Sequence, residues 1–372
     1  MRGSIRPRGK SWELKFDLAP GENGQRRIAY VTFKGDKKAA EKELRKRIAA
    51  VDEGTHIDPS KETLGAYLTY WLENVAPLNA SPITLQGYSS KIRSQVLPYL
   101  GHIKLQKLDV SAIVAWQTKL VSAGKLSRRT IRHAHATLSL ALAFAVMTKR
   151  VQTNVAVVAG PPKVEDKEVA IWDKEEVTAA LMKLEGLPIY PIALLAFSTG
   201  ARRGELCALT WADLDLDAAT MEIRRSLEQT KGNLRVKAPK TRSGIRTVAL
   251  PATVIGVLRK HKLEAMEHRL ACGLGGLPDD APVFGDIEGN WPSPVSVSNN
   301  WRNAVSNHAL PKITFHALRH CHAAVLIASG LDIMAVSRQL GHTKPGFTLN
   351  RYGHLYGNRN EAAAAAIDAV FS

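Results

Sequence analysis

The first sixty residues alternate between apolar and polar positions with the period of a β-strand. A run over residues 11–18 places its apolar side chains on one face, and a second alternating run covers residues 27–33 after a glycine-containing turn. Asp36 then stands in an N-cap position, before apolar residues at helical spacing. The pattern therefore predicts a small sheet of two or three strands followed by one helix.

From Thr63 onward the apolar residues recur with the period of an α-helix. The sequence predicts four helices in this part of the chain. The second begins at Thr84, the third is capped by Asp109 and the fourth begins at Ser127. Four such helices, each with one apolar stripe, predict a compact bundle.

The proline pair Pro161-Pro162 breaks the helical pattern and predicts a linker. After it the pattern is mostly helical, with strand-like alternation at residues 220–223 and 247–250. We therefore expect an α+β multidomain fold: a small β-sheet-plus-helix N-terminal domain, a four-helix bundle and a mostly helical domain with a small antiparallel sheet. The predicted boundaries are residues 1–60, 61–160, a linker at 161–169, and 170–372.

Positive charge is concentrated in the first 160 of the 372 residues. The whole chain has 51 basic and 34 acidic side chains, a formal net charge of +17. Residues 1–60 carry 14 basic and 9 acidic side chains, residues 61–160 carry 12 and 3, and residues 161–372 carry 25 and 22. Such a field attracts a polyanion, and nucleic acid is the expected one. The candidate DNA contacts lie on the predicted fourth helix: Arg128, Arg129 and Arg132.

Several classes of protein are disfavoured by the sequence. No apolar stretch reaches the roughly 18 residues that cross a bilayer, and no signal peptide is recognised, so we expect a cytoplasmic protein without membrane contact. Three widely spaced cysteines argue against a disulfide framework and a zinc site. His316, His320 and His322 lack further ligands at metal-binding spacing. We therefore expect neither a metal nor a cofactor.

Three separated clusters offer groups that bind or act on a phosphate. Arg202 and Glu205 are three residues apart, a spacing that on a helix places a guanidinium beside a supporting carboxylate. Lys240 lies in a basic turn that leads into a strand. His316 and Arg319 repeat the three-residue spacing, which places them on one helical face.

The third cluster is followed by Leu340-Gly341-His342, and then by Tyr352 between Thr348 and His354. Together the clusters resemble the signature of the tyrosine recombinases, the phage-integrase family: TGxRxxE, a lysine on a β-turn, HxxR, LGH, and a tyrosine in the context TxxxYxH, all in the family's order. The basic helical segment is similar to that family's core-site-binding domain. The N-terminal sheet domain resembles the arm-site-binding domain of integrases that recognise two classes of DNA site.

The resemblance implies that Tyr352 attacks the scissile phosphodiester and becomes joined to the 3′ phosphate, releasing a 5′ hydroxyl. A phenol has an ordinary pKa of about 10, so it requires a proton acceptor and a cationic pocket to act at neutral pH. Arg202 and Arg319 would neutralise the non-bridging oxygens in the transition state. Lys240 would protonate the 5′ leaving oxygen.

The same resemblance makes His316 an acceptor of the tyrosine proton, His342 a hydrogen-bonding partner of the phosphate and Glu205 a supporting residue. Three neighbours remain as alternatives to Arg202, Lys240 and Tyr352: Arg203, Lys237 and Tyr356. Arg203 points away from the helical face that Glu205 would share, and the sequence contexts favour Lys240 and Tyr352 over the other two.

The function implied is that of a site-specific DNA recombinase, the integrase of a phage or other mobile element. Its partners would be duplex DNA with core-type and arm-type sites, and three further copies of the chain in a homotetramer on DNA. A DNA-bending protein and an excision directionality factor are open as accessory partners. Two alternatives share the fold: a type IB-like topoisomerase, and a DNA-binding regulator without catalytic activity.

Overall fold

The computed structural model describes residues 3–20, 24–165, 170–230, 233–238 and 244–341, together with 346, 349, 352, 367–369 and 371. The chain divides into two compact units, Met1–Asp166 and Lys167–Ser372.

The first unit begins with an antiparallel meander of three strands, β1 (Gly3–Arg8), β2 (Ser11–Asp17) and β3 (Ile28–Phe33). Helix α1 (Lys37–Asp52) covers one face, because Leu14 and Phe16 of the central strand pack with Leu44 and other apolar residues of the helix. The Asp36 carboxylate accepts a hydrogen bond of 2.7 Å from the Ala39 amide, which confirms the predicted N-cap. The opposite sheet face is left polar and charged.

The remainder of the first unit is helical. Its helices are α2 (Leu64–Tyr70), α3 (Ala76–Asn79), α4 (Pro82–Lys91), α5 (Leu97–Leu100), α6 (Val110–Ser122), α7 (Arg128–Met147) and α8 (Val155–Ala159). Asp109 and Ser127 cap α6 and α7, as predicted. The predicted start at Thr84 is wrong: α4 begins at Pro82, because proline has no amide hydrogen to leave unpaired in the first turn.

Two prolines shape the helix pairs α2–α3 and α4–α5. A π-helical turn at Trp71–Val75 joins α2 to α3, and a second at Ile92–Val96 joins α4 to α5. Pro77 and Pro98 each follow such a turn by two residues. Proline removes a helical amide and crowds the preceding turn, and the wider π turn accommodates it without ending the helix. The four predicted helices are therefore present, two of them with a π turn, and α8 is additional.

Side chains of the helical part, from segments beside its α-helices, hold the chain that leads out of the small sheet domain. The Gln106 amide nitrogen lies 2.8 Å from the Asp58 carbonyl oxygen, and its amide oxygen accepts from the Ser60 amide at 3.0 Å. One terminal nitrogen of Arg150 lies 2.7 and 2.9 Å from the two carboxylate oxygens of Glu62. Residues 58–62 thus belong to the packing of the helical part.

The second unit has seven α-helices and two small antiparallel sheets among its described residues. The helices are α9 (Lys174–Leu184), α10 (Tyr190–Thr199), α11 (Arg203–Cys207), α12 (Ala252–Ala271), α13 (Pro294–Asn307), α14 (Ala317–Ala328) and α15 (Ile333–Leu340). The strands are β4 (Leu214–Asp215), β5 (Thr220–Ile223), β6 (Ser226–Thr230), β7 (Asn233–Lys237) and β8 (Arg246–Ala249). Strands β4, β5 and β8 form one sheet, and β6 pairs with β7.

Helix α10 is the centre of this unit. It is apolar on nearly all sides, which is the pattern of a helix surrounded by others. Both strand-like patches seen in the sequence are strands, and the α+β fold class is confirmed. No helix of the described ranges is long and apolar enough to cross a membrane.

Candidate active site

A buried carboxylate, Glu205, joins two arginines from distant parts of the second unit. Its oxygens accept from the Arg202 side chain at 2.9 Å and the Arg202 amide at 2.8 Å. They also accept from the two terminal nitrogens of Arg246 at 2.9 and 3.3 Å. Burial alone would raise the pKa of Glu205, but the hydrogen bonds and charges of Arg246 and Arg202 hold it below its ordinary value.

Arg319 is the most deeply buried of the site arginines. Its guanidinium donates to the carbonyl oxygens of Gly200, at 2.5 Å, and Leu340, at 2.6 Å, which are the C-terminal ends of α10 and α15. Burial, and the positive charges of Arg202 and Arg246, lower its pKa to about 9. Arg319 therefore remains a cation at neutral pH, held by two helix termini whose carbonyls carry partial negative charge.

Gly200 is required at its position by both backbone and space. It ends α10 in the left-handed conformation, with φ of +63°. A Cβ atom there would lie 2.6 Å from Cδ2 of His322 and 2.7 Å from a methyl group of Leu340. The close approach lets the Gly200 carbonyl reach Arg319.

Tyr352 is buried against α14 and α15 of the same chain. Its ring packs with Ala323, Ile327, Val336 and Leu340, and 4% of the residue is exposed. Its hydroxyl oxygen lies 2.5 Å from Nδ1 of His320. The hydroxyl of the predicted nucleophile therefore contacts the residue that directly follows Arg319 in the chain.

An open cleft of about 650 Å³ lies beside these groups, and none of the described residues that line it is acidic. Its polar lining comes from Arg202, Arg203, Ser298, Arg302, Thr314 and His316. Arg203 donates to the Ser298 hydroxyl rather than to Glu205, in agreement with the preference for Arg202 as the partner of that carboxylate. The lining suits a polyanionic ligand.

Two features of the predicted site differ in the structure. Arg202 and Glu205 do not share a helical face: Arg202 is the N-cap of α11 in extended conformation, and the Glu205 carboxylate at position N3 folds back to accept from the Arg202 backbone amide. His316 likewise precedes its helix as the N-cap of α14. It stands edge-to-face against His320, with ring centroids 5.2 Å apart.

Lys240, His342 and the alternative tyrosine Tyr356 lie outside the described residues. Lys237, the alternative to Lys240, is described, and its ammonium group lies 2.7 Å from the Glu228 carboxylate on the paired strand β6. That ion pair occupies Lys237, so Lys240 stays the preferred prediction. Arg128, Arg129 and Arg132 are exposed in the first turns of α7 in the other unit.

The sequence did not predict two residues of the site, His320 and Arg246. His320 appeared only in a disfavoured metal cluster, although its position next to Arg319 was visible. Arg246 was part of the basic turn region but carried no assigned role, since nothing in the spacing announces a partner 41 residues away.

Candidate metal ligands and cysteine thiols were the other reactive groups considered from the sequence. No group of three or more histidine, cysteine, aspartate or glutamate side chains there is arranged to hold a metal ion. Burial raises the pKa of the Cys207 thiol to about 12 and that of Cys321 to about 11. Neither thiol is ionised at neutral pH, which agrees with packing roles.

Two models of known protein families match the chain. Residues 172–359 match the Phage integrase family, and residues 63–121 match the Phage integrase, N-terminal SAM-like domain. The chain belongs to the phage integrase family, the tyrosine recombinases, which are DNA strand-exchanging enzymes. The resemblance inferred from the motifs is confirmed.

Individual relatives extend over most of the chain. It is 28% identical to the tyrosine recombinase XerC-like protein of Caldanaerobacter subterraneus, with 97% of this chain and 96% of that protein covered. Its fold is similar to the Tn1549 transposon integrase in complex with transposon right end DNA, at TM-score 0.68 and 20% identity over 83% of this chain and 100% of that one. A lambda integrase tetramer bound to a Holliday junction matches at TM-score 0.58 and 19% identity, over 92% and 94% of the two chains.

His322, beneath Gly200, gives the second unit a pH-dependent stability. It is buried, its Nε2 has no hydrogen-bond partner, and burial lowers its pKa to about 4. The unfolded state, with an ordinary pKa of about 6.5, therefore binds a proton that the folded state rejects between pH 6.5 and 4. Lowering the pH from 7 to 5 should cost about 2 kcal/mol of unfolding free energy through this residue.

Urea unfolding of the wild type and His322→Gln at a series of pH values would measure this contribution. The variant should lose about 2 kcal/mol less than the wild type between pH 7 and 5. His268→Gln, on the exposed surface of α12, is the control and should keep the wild-type dependence. Parallel profiles for the wild type and His322→Gln would contradict the prediction.

Proposed function

We propose that this protein is a site-specific DNA recombinase, the integrase of a phage or other mobile element, which cleaves and rejoins DNA through a covalent bond between Tyr352 and a 3′ phosphate. One observation carries the proposal: the Tyr352 hydroxyl lies against His320, next to Arg319, whose guanidinium donates to the ends of α10 and α15, and Arg202 donates to Gly341 at the end of α15. A nucleophile and two cations thus converge on one place in a single chain.

The chemical step follows from these groups. The Tyr352 oxygen attacks the phosphorus, the bond from phosphorus to the 5′ oxygen breaks, and a 3′-phosphotyrosyl ester remains. The phenolic proton passes to Nδ1 of His320, which lies 2.5 Å from the hydroxyl oxygen, and His316 stands edge-to-face against that ring. Arg202 and Arg319 stabilise the additional negative charge on the non-bridging oxygens.

Lys240 supplies the proton that the 5′ oxygen takes up, and His342 donates a hydrogen bond to the phosphate. Each bond broken is conserved as a protein–DNA ester of similar energy, so rejoining by the reverse reaction requires no nucleotide cofactor. Metal is not needed for this sequence of steps, because guanidinium groups supply the positive charge.

Exchange between two duplexes requires four cleavages, so we propose a homotetramer on DNA. The lambda integrase tetramer on a Holliday junction, which shares the fold, supports this assembly. Arg128, Arg129 and Arg132 are proposed to contact core-type DNA, since they are exposed at the start of α7 in the unit with the largest positive charge. A DNA-bending protein and a directionality factor are proposed as accessory partners.

Residues 1–60 are proposed to bind arm-type sites through the sheet face that α1 leaves open. Arg6 and Arg8 on β1 both contact Glu13, and Lys15 lies 5.9 Å from the exposed Tyr30 ring. A major groove admits such a strand ribbon with its basic side chains.

Replacing Tyr352 by phenylalanine should abolish covalent attachment to DNA while preserving DNA affinity, because only the nucleophilic oxygen is removed. The substrate is a labelled duplex selected from random sequence by the wild-type protein and nicked beyond the scissile phosphate, so that the released fragment diffuses away. Denaturing gels with a metal chelator present would detect label travelling with protein.

Tyr356→Phe is the matched control and should form the covalent band as the wild type does. A band retained by Tyr352→Phe and lost by Tyr356→Phe would reassign the nucleophile. No band from the wild type despite sequence-specific binding would favour the regulator, and supercoil relaxation without exchange between two sites would favour the topoisomerase.

Lys240→Ala should lower the cleavage rate by about 10²–10⁴-fold, the range for loss of a general acid. A substrate whose 5′ bridging oxygen is replaced by sulfur should restore the rate, because a thiolate leaves without protonation. Lys237→Ala, which breaks the ion pair with Glu228, serves as control and should cleave both substrates at nearly wild-type rates. If the sulfur substrate instead restores the cleavage rate of Lys237→Ala and not that of Lys240→Ala, Lys237 is the general acid and Lys240 is not.

Lys15→Ala should weaken binding to arm-type duplexes by about tenfold, the cost of one lost DNA contact, and leave core-type binding intact. A substitution is preferable to deleting residues 1–60, because Asp58 and Ser60 are bonded to Gln106. Lys46→Ala removes the same charge from the exposed side of α1 and is the control. Gel-shift titrations that show equal losses for both classes of duplex would reject the assignment of this sheet face.

A further inference from the structure

We propose that Arg246 is a positioning residue for strand cleavage: it neutralises Glu205, so that the charge of Arg202 is available to the phosphate, and it anchors the end of α15. This inference rests on the proposed function, because the phosphate it concerns is the scissile one. Arg246 does not itself contact the DNA.

The first argument is the charge balance around Glu205. The carboxylate has one negative charge and two guanidinium neighbours, Arg202 and Arg246. With Arg246 present, the trio carries a net charge of +1, which adds to that of Arg319. Without Arg246, Glu205 would cancel the charge of Arg202, and the site would face the phosphate with one positive charge fewer.

The second argument is burial, which separates the roles of the two arginines. The Arg246 side chain is 8% exposed and the Glu205 side chain 7%, whereas the Arg202 side chain is 41% exposed. Arg202 also lines the open cleft, and Arg246 does not. A buried guanidinium that donates from two nitrogens to one carboxylate holds that carboxylate in place and has few donors left for a ligand.

The third argument is a run of three consecutive carbonyl groups at the end of α15. Gln339 accepts from Nε of Arg246 at 2.8 Å, Leu340 from Arg319 at 2.6 Å and Gly341 from Arg202 at 3.2 Å. The three arginines come from different parts of the chain. The C-terminal end of a helix is a favourable place for cations, because its last carbonyls lack helical partners.

The position of Arg246 in the chain gives these contacts a catalytic consequence. It is the first residue of β8, six residues after Lys240, and the carbonyls it helps to hold immediately precede His342. One side chain therefore links strand β8, the carboxylate of Glu205 and the end of helix α15, which precedes His342 in the sequence. Loss of this link should displace several catalytic groups, and small displacements are costly to a reaction that depends on orientation.

Cleavage kinetics on the nicked duplex provide the principal test, with Arg246→Lys and Arg246→Gln. Both should bind the duplex with wild-type affinity and cleave about 10–100-fold more slowly, since misplacement of catalytic groups by about 1 Å has effects of this size. Arg246→Lys keeps the charge and should be the faster of the two. Arg259→Gln, which breaks an exposed pair with Asp217, is the control and should cleave like the wild type.

Two further comparisons separate positioning from a general loss of structure. In a Glu205→Gln background, Arg246→Gln should cost less than in the wild type, because there is no longer a carboxylate charge to neutralise. On a duplex with a neutral methylphosphonate at the scissile position, the ratio of wild-type to Arg246→Gln rates should also fall. A merely structural role would leave both ratios unchanged.

Hydrogen exchange without DNA tests the anchoring of α15 independently of cleavage. Amides of residues 336–341 should exchange faster in Arg246→Gln than in the wild type, while those of α12 should not change. Three outcomes would each overturn the proposal. Both variants could cleave at the wild-type rate, a loss of DNA affinity could account fully for their lower rates, or the amides of α15 could exchange as in the wild type. Failure of the wild type to form a covalent complex would instead reject the proposed function, and the exchange result would still decide whether Arg246 anchors α15.

Discussion

The buried contact between Glu205 and its two arginines is the interaction on which the site depends. A carboxylate removed from water is strongly unfavourable unless its charge is paired and its lone pairs are satisfied. Four N–H groups, from Arg202 and Arg246, meet that requirement and keep the pKa of Glu205 low. Because one arginine is buried and the other open, the same carboxylate fixes the interior of the domain and orients a cation at its surface.

Helix ends supply the second constraint. Arg319 has no carboxylate within its described hydrogen bonds and is held by the carbonyls that end α10 and α15. Left-handed glycines at these ends, Gly200 and Gly341, expose the carbonyls and turn the chain. Partial charges rather than a full negative charge hold this arginine, so its own charge is not cancelled before a phosphate arrives.

The sequence predicts the local parts of this arrangement and not the contacts between them. Caps such as Asp36 and Ser127, and the pairing of Arg202 with Glu205, depend on residues three apart, which spacing reveals. The Arg246 contacts join residues 41 and 93 positions apart, and neither follows from any periodicity. The π turns before Pro77 and Pro98 were missed for a different reason: an apolar stripe looks alike whether a helix is regular or locally widened.

Net charge was an incomplete guide to the second unit, whose basic and acidic side chains are nearly balanced. The balance conceals a separation of charge, because Glu205, Asp213 and Glu228 are all buried. Asp213 pairs with Arg224 and Arg225, and Glu228 pairs with Lys237. Carboxylates used as internal anchors do not contribute to the surface of the cleft, where Arg202, Arg203 and Arg302 meet no acidic neighbour among the described lining residues. A locally cationic cleft therefore requires no large excess of basic residues, only that the negative charges be placed inside.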